Sequence, residues 1–135
     1  MDFNLVQAKR QKVTLGPSGP AEFFGKLMQI RDIAHLTHLR QPDLKYSTHK
    51  ALNTLYDEVL DLVDTLIESW QGIHGLVDVV IPESRYRDDP AIWVQELYSY
   101  IASNRTLFSE SWVQNQLDEV ATLLAQTLYR LKYVQ

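Results

Sequence analysis

Between two long helical stretches the chain carries GIHGLVDVVIPESRYRD, residues 72–88, and this seventeen-residue connection constrains the fold more than any other segment. Antiparallel neighbours in a helical bundle are usually joined by about two to eight residues. The stretch from Val77 to Ile81 is rich in β-branched side chains and ends at Pro82, which gives it extended character. A helix of about 25 residues is roughly 37 Å long, and an extended connection of this size reaches roughly 55 Å. It can therefore run back along a bundle and leave the helices on either side of it parallel.

The flanking periodicities predict four helices. The first starts after Ser18, has Pro20 in its opening turn and runs to about Arg40, ahead of Pro42. Phe23, Leu27, Ile30 and Ala34 form its apolar stripe; His38 flanks that stripe and His35 lies further round. The second takes Ser47 or Thr48 as N-cap and continues to about Gln71, before Gly72. On it Leu52, Leu55, Val59, Val63, Leu66 and Trp70 gather on one side. Asn53, Asp57, Asp61, Asp64 and Glu68 gather on another, with His49 at the border. The third opens at Asp89-Pro90 and reaches about Asn104, with Ile92, Trp93, Leu97, Tyr100 and Ile101 on its apolar side. The fourth spans about Ser109 to Tyr133 on a stripe of Val113, Leu117, Val120, Leu124, Leu128 and Leu131. This predicts an all-α protein, a four-helix bundle over residues 20–135 in which a long crossover joins helices two and three, as in ferritin-like folds. Residues 1–19, broken by GPSGP at 16–20, read as an N-terminal arm.

Composition removes several kinds of chemistry. The chain has no cysteine, which excludes disulfides, thiolate metal sites and cysteine nucleophiles. Its net charge of −4 argues against generic nucleic-acid binding. No uninterrupted apolar run approaches the ~18 residues of a membrane span, and the opening MDFNLVQAKRQK lacks the apolar run of a signal peptide, so a cytoplasmic protein is expected. There is no phosphate-binding glycine loop, nucleophile elbow or His-Glu-x-x-His zinc motif. No Glu is followed three residues later by His, so the ligand pairs of intrasubunit di-iron bundles are absent.

What remains is a set of metal-ligating side chains. Imidazoles and carboxylates suit iron, manganese and zinc when they converge from two or more turns or helices. The second helix has His49, Asn53 four residues on, then Asp64 and, four further on, Glu68; the first helix can add His38 or, as second choice, His35. In this spacing the chain resembles the Dps-type mini-ferritins, whose second helix reads H-x3-D-x10-D-x3-E after a histidine late in the first. The resemblance implies iron as the metal and a ferroxidase site shared between subunits. It also implies a homo-oligomer, a dimer or a closed cage, that stores ferric mineral. His49, Asp64 and Glu68 match the motif; Asn53 stands where the family has a carboxylate. The family's first-helix histidine would fall at Thr37, one residue before His38, and the tryptophan that usually follows it is replaced in His38-Leu39-Arg40. Some Dps-type proteins hold DNA through lysine-bearing arms, and Lys9, Arg10 and Lys12 offer a weak contact of that kind.

A second resemblance lies in AHLTHLR, YSTHKALNTLYDEV, LIESWQG and LDEVATLLAQTLYRLKYV, which are similar to small ferritin-like proteins of tailed bacteriophages. It implies a location in the host cytoplasm or the virion and a virion or host-protein partner. Each feature also has a plainer reading: a solvated acidic face for Asp57, Asp61, Asp64 and Glu68, a polar pair beside the core for His38 and His49, and a polar tail for the arm. His35 reads as a bystander and His74 as a residue without an evident partner. Trp70, Trp93, Trp112 and the seven tyrosines read as core and interface groups, with Tyr46, Tyr98 and Tyr100 also offering anchors for a partner surface. Two functions follow: a Dps-like protein that binds, oxidises and stores iron, or a non-enzymatic phage structural or interaction protein that uses the bundle for assembly.

Overall fold

The computed structural model describes residues 19–40 and 45–134. They form helices α1 (Pro20–Arg40), α2 (Tyr46–His74), α3 (Pro90–Asn104) and α4 (Ser111–Tyr133), with a short 3-10 turn, Arg105–Leu107, between the last two. Among the described residues there is no strand, and no helix is long and apolar enough to cross a membrane. Lys9, Arg10, Lys12 and most of the GPSGP break lie outside the described residues.

The helix ends follow local chemistry. Pro20 occupies the first position of α1, where its missing N–H would be unpaired in any case. Asp89 caps α3, its Oδ1 accepting the Ile92 N–H at 3.2 Å, with Pro90 next in line. Two boundaries differ from expectation. Ser47 and Thr48 do not cap α2, which begins earlier, at Tyr46, after Lys45 in extended conformation and without a side-chain cap. Gly72 does not end it either. The helix passes through Gly72 to His74, and Gly75, at φ 93°, makes the break while its N–H donates to the Gln71 carbonyl at 2.8 Å. At the start of α4 the Gln114 side-chain amide donates to the carbonyls of Arg105 (2.8 Å) and Phe108 (2.7 Å), holding the turn open until Ser111.

The stripes predicted for α1, α2 and α4 meet in one core that includes Phe23, Leu27, Ile30, Leu55, Val59, Leu117 and Leu124. Burying each such side chain contributes about 1.5–3 kcal/mol before chain entropy is set against it. Ile92 is an exception, 58% exposed on the first turn of α3. At one end of the bundle the aromatics close ranks. Phe23 stacks on Tyr100 at 5.7 Å and Phe24 on Phe108 at 5.7 Å, with Trp70 edge-on to Phe24 at 5.5 Å. The start of α1, the end of α2, the end of α3 and the turn before α4 therefore share this end.

The connection between α2 and α3 lies along α1. Val80 passes over Gly25, where a Cβ would fall against the Val80 carbonyl oxygen. Gln29 Nε2 donates to the Glu83 carbonyl at 2.9 Å, and the Arg87 N–H donates to the buried Thr37 hydroxyl at 3.0 Å. Arg40 sits over the Tyr86 ring, 4.8 Å from its centroid. Contacts thus run in order from the first turns of α1 to its last.

Candidate functional site

The last turns of α1 and the first of α2 bring three imidazoles and a phenol together. The His38 and His49 rings lie face to face, with centroids 3.7 Å apart and planes 29° from parallel. His38 Nδ1 is 3.1 Å from the His49 carbonyl oxygen. A carbonyl only accepts, so this nitrogen carries a proton, and in the neutral imidazole Nε2 is the one with the lone pair. His35 stacks on Tyr56 at 4.4 Å, and Tyr56 meets His38 edge-on at 5.3 Å.

Asn53 is fixed from both sides. The Tyr56 hydroxyl donates to its Oδ1 at 2.6 Å, and its Nδ2 donates to Asp57 Oδ2 at 3.3 Å. The amide oxygen thus faces the phenol and the nitrogen faces the carboxylate. Asp57, expected to be merely solvated, is exposed but takes part in this chain of hydrogen bonds. Tyr56 is a member of the cluster that the ligand spacing does not single out. The signal for Tyr56 was its place three residues after Asn53 and seven after His49, on the same helical face.

Asp64 and Glu68 stand elsewhere. At the helical rise of ~1.5 Å per residue, Asp64 lies about 16 Å along α2 from Asn53. Both acids line a cleft of about 370 Å³ between α1, α2 and the connection, shared with Met28, Arg31, Leu60 and Ile81. Within the chain the structure therefore joins His38, His49 and Asn53 but separates them from Asp64 and Glu68. Among the described residues no group of three or more His, Asp or Glu side chains is placed to hold a metal ion.

One further expectation is corrected. His74 does have partners: Nε2 pairs with Glu110 Oε1 at 2.8 Å and the ring stacks on Trp70 at 4.5 Å. Tyr100, on the apolar side of α3, packs on Phe23, with the Lys26 ammonium 5.6 Å from its ring centre. Burial, reinforced by the nearby Glu22 carboxylate, raises its pKa above the usual 10.0. Tyr46 and Tyr98 remain exposed, while Trp93 is buried and Trp70 and Trp112 pack against the core in part.

The model of a family of unknown function, DUF5856, matches residues 38–131, a span that opens at His38 and takes in His49, Asn53, Asp64 and Glu68. No curated protein and no solved structure matches the chain.

Proposed function

We propose that this chain, which belongs to the DUF5856 family of unknown function, is a Dps-like, ferritin-fold protein that takes Fe(II) as substrate at a site between subunits. The observation that carries this reading is the His38–His49 pair. A metal-binding histidine typically donates its other ring N–H to a carbonyl or carboxylate, which fixes the tautomer and the ring. His38 does this through Nδ1 and leaves Nε2 available.

The remaining ligands come from a second copy. α2 spans residues 46–74, and a two-fold axis crossing near Leu60 would set one end of the helix opposite the other end in the partner. Asp64 and Glu68 of one subunit would then approach His38 and His49 of the other. The surface suits such a contact, since the α1–α2 cleft carries Leu60, Met28 and Ile81 beside Arg31 and the two acids. The path of the connection supports this reading, because its contacts with Gly25, Gln29 and Thr37 follow α1, as the long connection of a ferritin-like fold would. In this site Asn53 supports the ligands by hydrogen bonding, and peroxide or oxygen takes the electron from each Fe(II).

One observation favours a second reading. The Asn53–Tyr56–Asp57 chain satisfies its own polar groups without a cation, which suits a bundle kept for assembly with virion or host proteins. The two separate by experiment. Fe(II) is added to the full chain with oxygen or peroxide, ferric absorbance is followed, and particle mass is measured by light scattering. A large closed particle whose iron oxidation is lost in Glu68→Ala supports the iron reading. A monomer, or oxidation no faster than in buffer, leaves the assembly reading in its place.

A further inference from the structure

A groove of about 910 Å³ runs between the first turns of α2 and the last turns of α4. Its floor includes Ala51 and Ala125, and its walls carry Tyr46 and Lys50 from α2 and Tyr129 and Arg130 from α4. Three observations set it apart from an ordinary helix–helix seam. First, it is lined by two cations and, among the described residues, by no carboxylate, in a chain of net charge −4. Among the described residues, Glu58 and Glu119 fall about a turn beyond its Thr54 and Thr122 end.

Second, Tyr46 and Tyr129 present flat rings to solvent, 75% and 61% exposed, with the Lys50 ammonium 6.0 Å from the centre of the Tyr46 ring. Third, Ser47 Oγ and Arg130 Nη1 in the lining are almost inaccessible, yet among the described residues neither has a hydrogen-bond partner. An orphaned hydroxyl and guanidinium N–H are stabilised by an anion toward which they can turn. The open end of α2, which has neither a side-chain cap nor an acid in its first turn, adds positive potential at the same place.

We propose that this groove binds a nucleoside monophosphate, with the base flat against Tyr129 or Tyr46 and the phosphate held between Lys50 and Arg130. The groove has the size of a small-molecule site, within the usual range of about 300–1,000 Å³. Exposed rings beside cations are the means by which proteins hold a base and its phosphate together. Two cations balance one phosphate group and are too few for a strand, whose affinity grows with every phosphate neutralised. The groove shares the first turns of α2 with His49, but none of its lining residues belongs to the histidine cluster, so it stands whether or not the chain handles iron.

Calorimetric titration of the full chain tests the assignment, with adenosine monophosphate, adenosine, inorganic phosphate and a single-stranded oligothymidylate as separate probes. The expected result is saturable binding of the monophosphate, with adenosine and phosphate each weaker by about tenfold or more. Lys50→Glu and Tyr129→Ala, both at exposed positions, should each weaken it by about tenfold with an unchanged circular dichroism spectrum. Four outcomes would overturn the proposal: no saturable binding at millimolar monophosphate, equal affinity in both variants, phosphate as tight as the nucleotide, or binding of the oligonucleotide alone.

Discussion

His38 is gripped by His49 twice, ring against ring at 3.7 Å and through its Nδ1–H to the His49 carbonyl at 3.1 Å. This contact ties the end of α1 to the start of α2 and presents Nε2. Replacing His38 by Phe keeps a stacked ring but removes the hydrogen bond and the lone pair. Stability should fall by only about 1 kcal/mol, while iron oxidation should vanish. Thermal melts and ferric absorbance on the same preparation check both halves. A variant that oxidises iron like the parent would remove His38 from the site.

Gly25 lies under the Val80 carbonyl with no room for a Cβ. Gly25→Ala should push the connection off α1 and cost about 1–3 kcal/mol, despite the better helix propensity of alanine. The readout is a lower melting temperature together with earlier proteolysis between residues 76 and 88. Gly72→Ala is the control. Nothing lies within 4 Å of a Cβ built there, so that variant should be as stable as the parent or more so.

Gln114 bridges the turn before α4, donating to two carbonyls while its own oxygen accepts Arg105 Nε at 2.7 Å. Arg105 also reaches Asp118 Oδ1 at 2.5 Å. Gln114→Ala leaves the Phe108 carbonyl and the Arg105 Nε–H unpaired, while the Arg105 carbonyl keeps the Phe108 N–H, and should destabilise by about 1–3 kcal/mol, measured by chemical denaturation. Asp118→Ala, which breaks a largely exposed ion pair, should cost less than about 1 kcal/mol.

Tyr100 has a raised pKa, caused first by burial and then by Glu22. In the unfolded chain it loses its proton near 10.0, before the folded form does. Its stabilising contribution is therefore fully present below that pH and is lost as pH rises through the higher folded value. Denaturation curves across this alkaline range should show stability falling, and Tyr100→Phe should flatten the fall. An unchanged slope in that variant would assign the alkaline loss to another group.

The legible parts of this fold were those written in periodicity. The apolar stripes, the Asp89-Pro90 start and the long connection all follow from spacing, because burial and capping act on fixed helical intervals. Helix ends were less legible where two residues competed for one role. Gly72 and Gly75 both can end a helix, and only the latter takes the positive φ. The candidate site divides in the same way. His49 and Asn53 share a face by spacing, but the stacking of His35 on Tyr56 and the pairing of His74 with Glu110 depend on how separate helices approach. Interhelical contacts of this kind leave no interval in the sequence to read.

The central claim, a metal site built from two subunits, is tested most directly by complementation. His49→Ala and Glu68→Ala chains are purified separately, shown to be inactive, then unfolded, mixed in equal amounts and refolded together. A shared site predicts that mixing restores about a quarter of the parent iron-oxidation rate, since half the dimers are hybrids and each hybrid regains one of its two sites. Folded mixed oligomers that stay as inactive as either variant alone would contradict it.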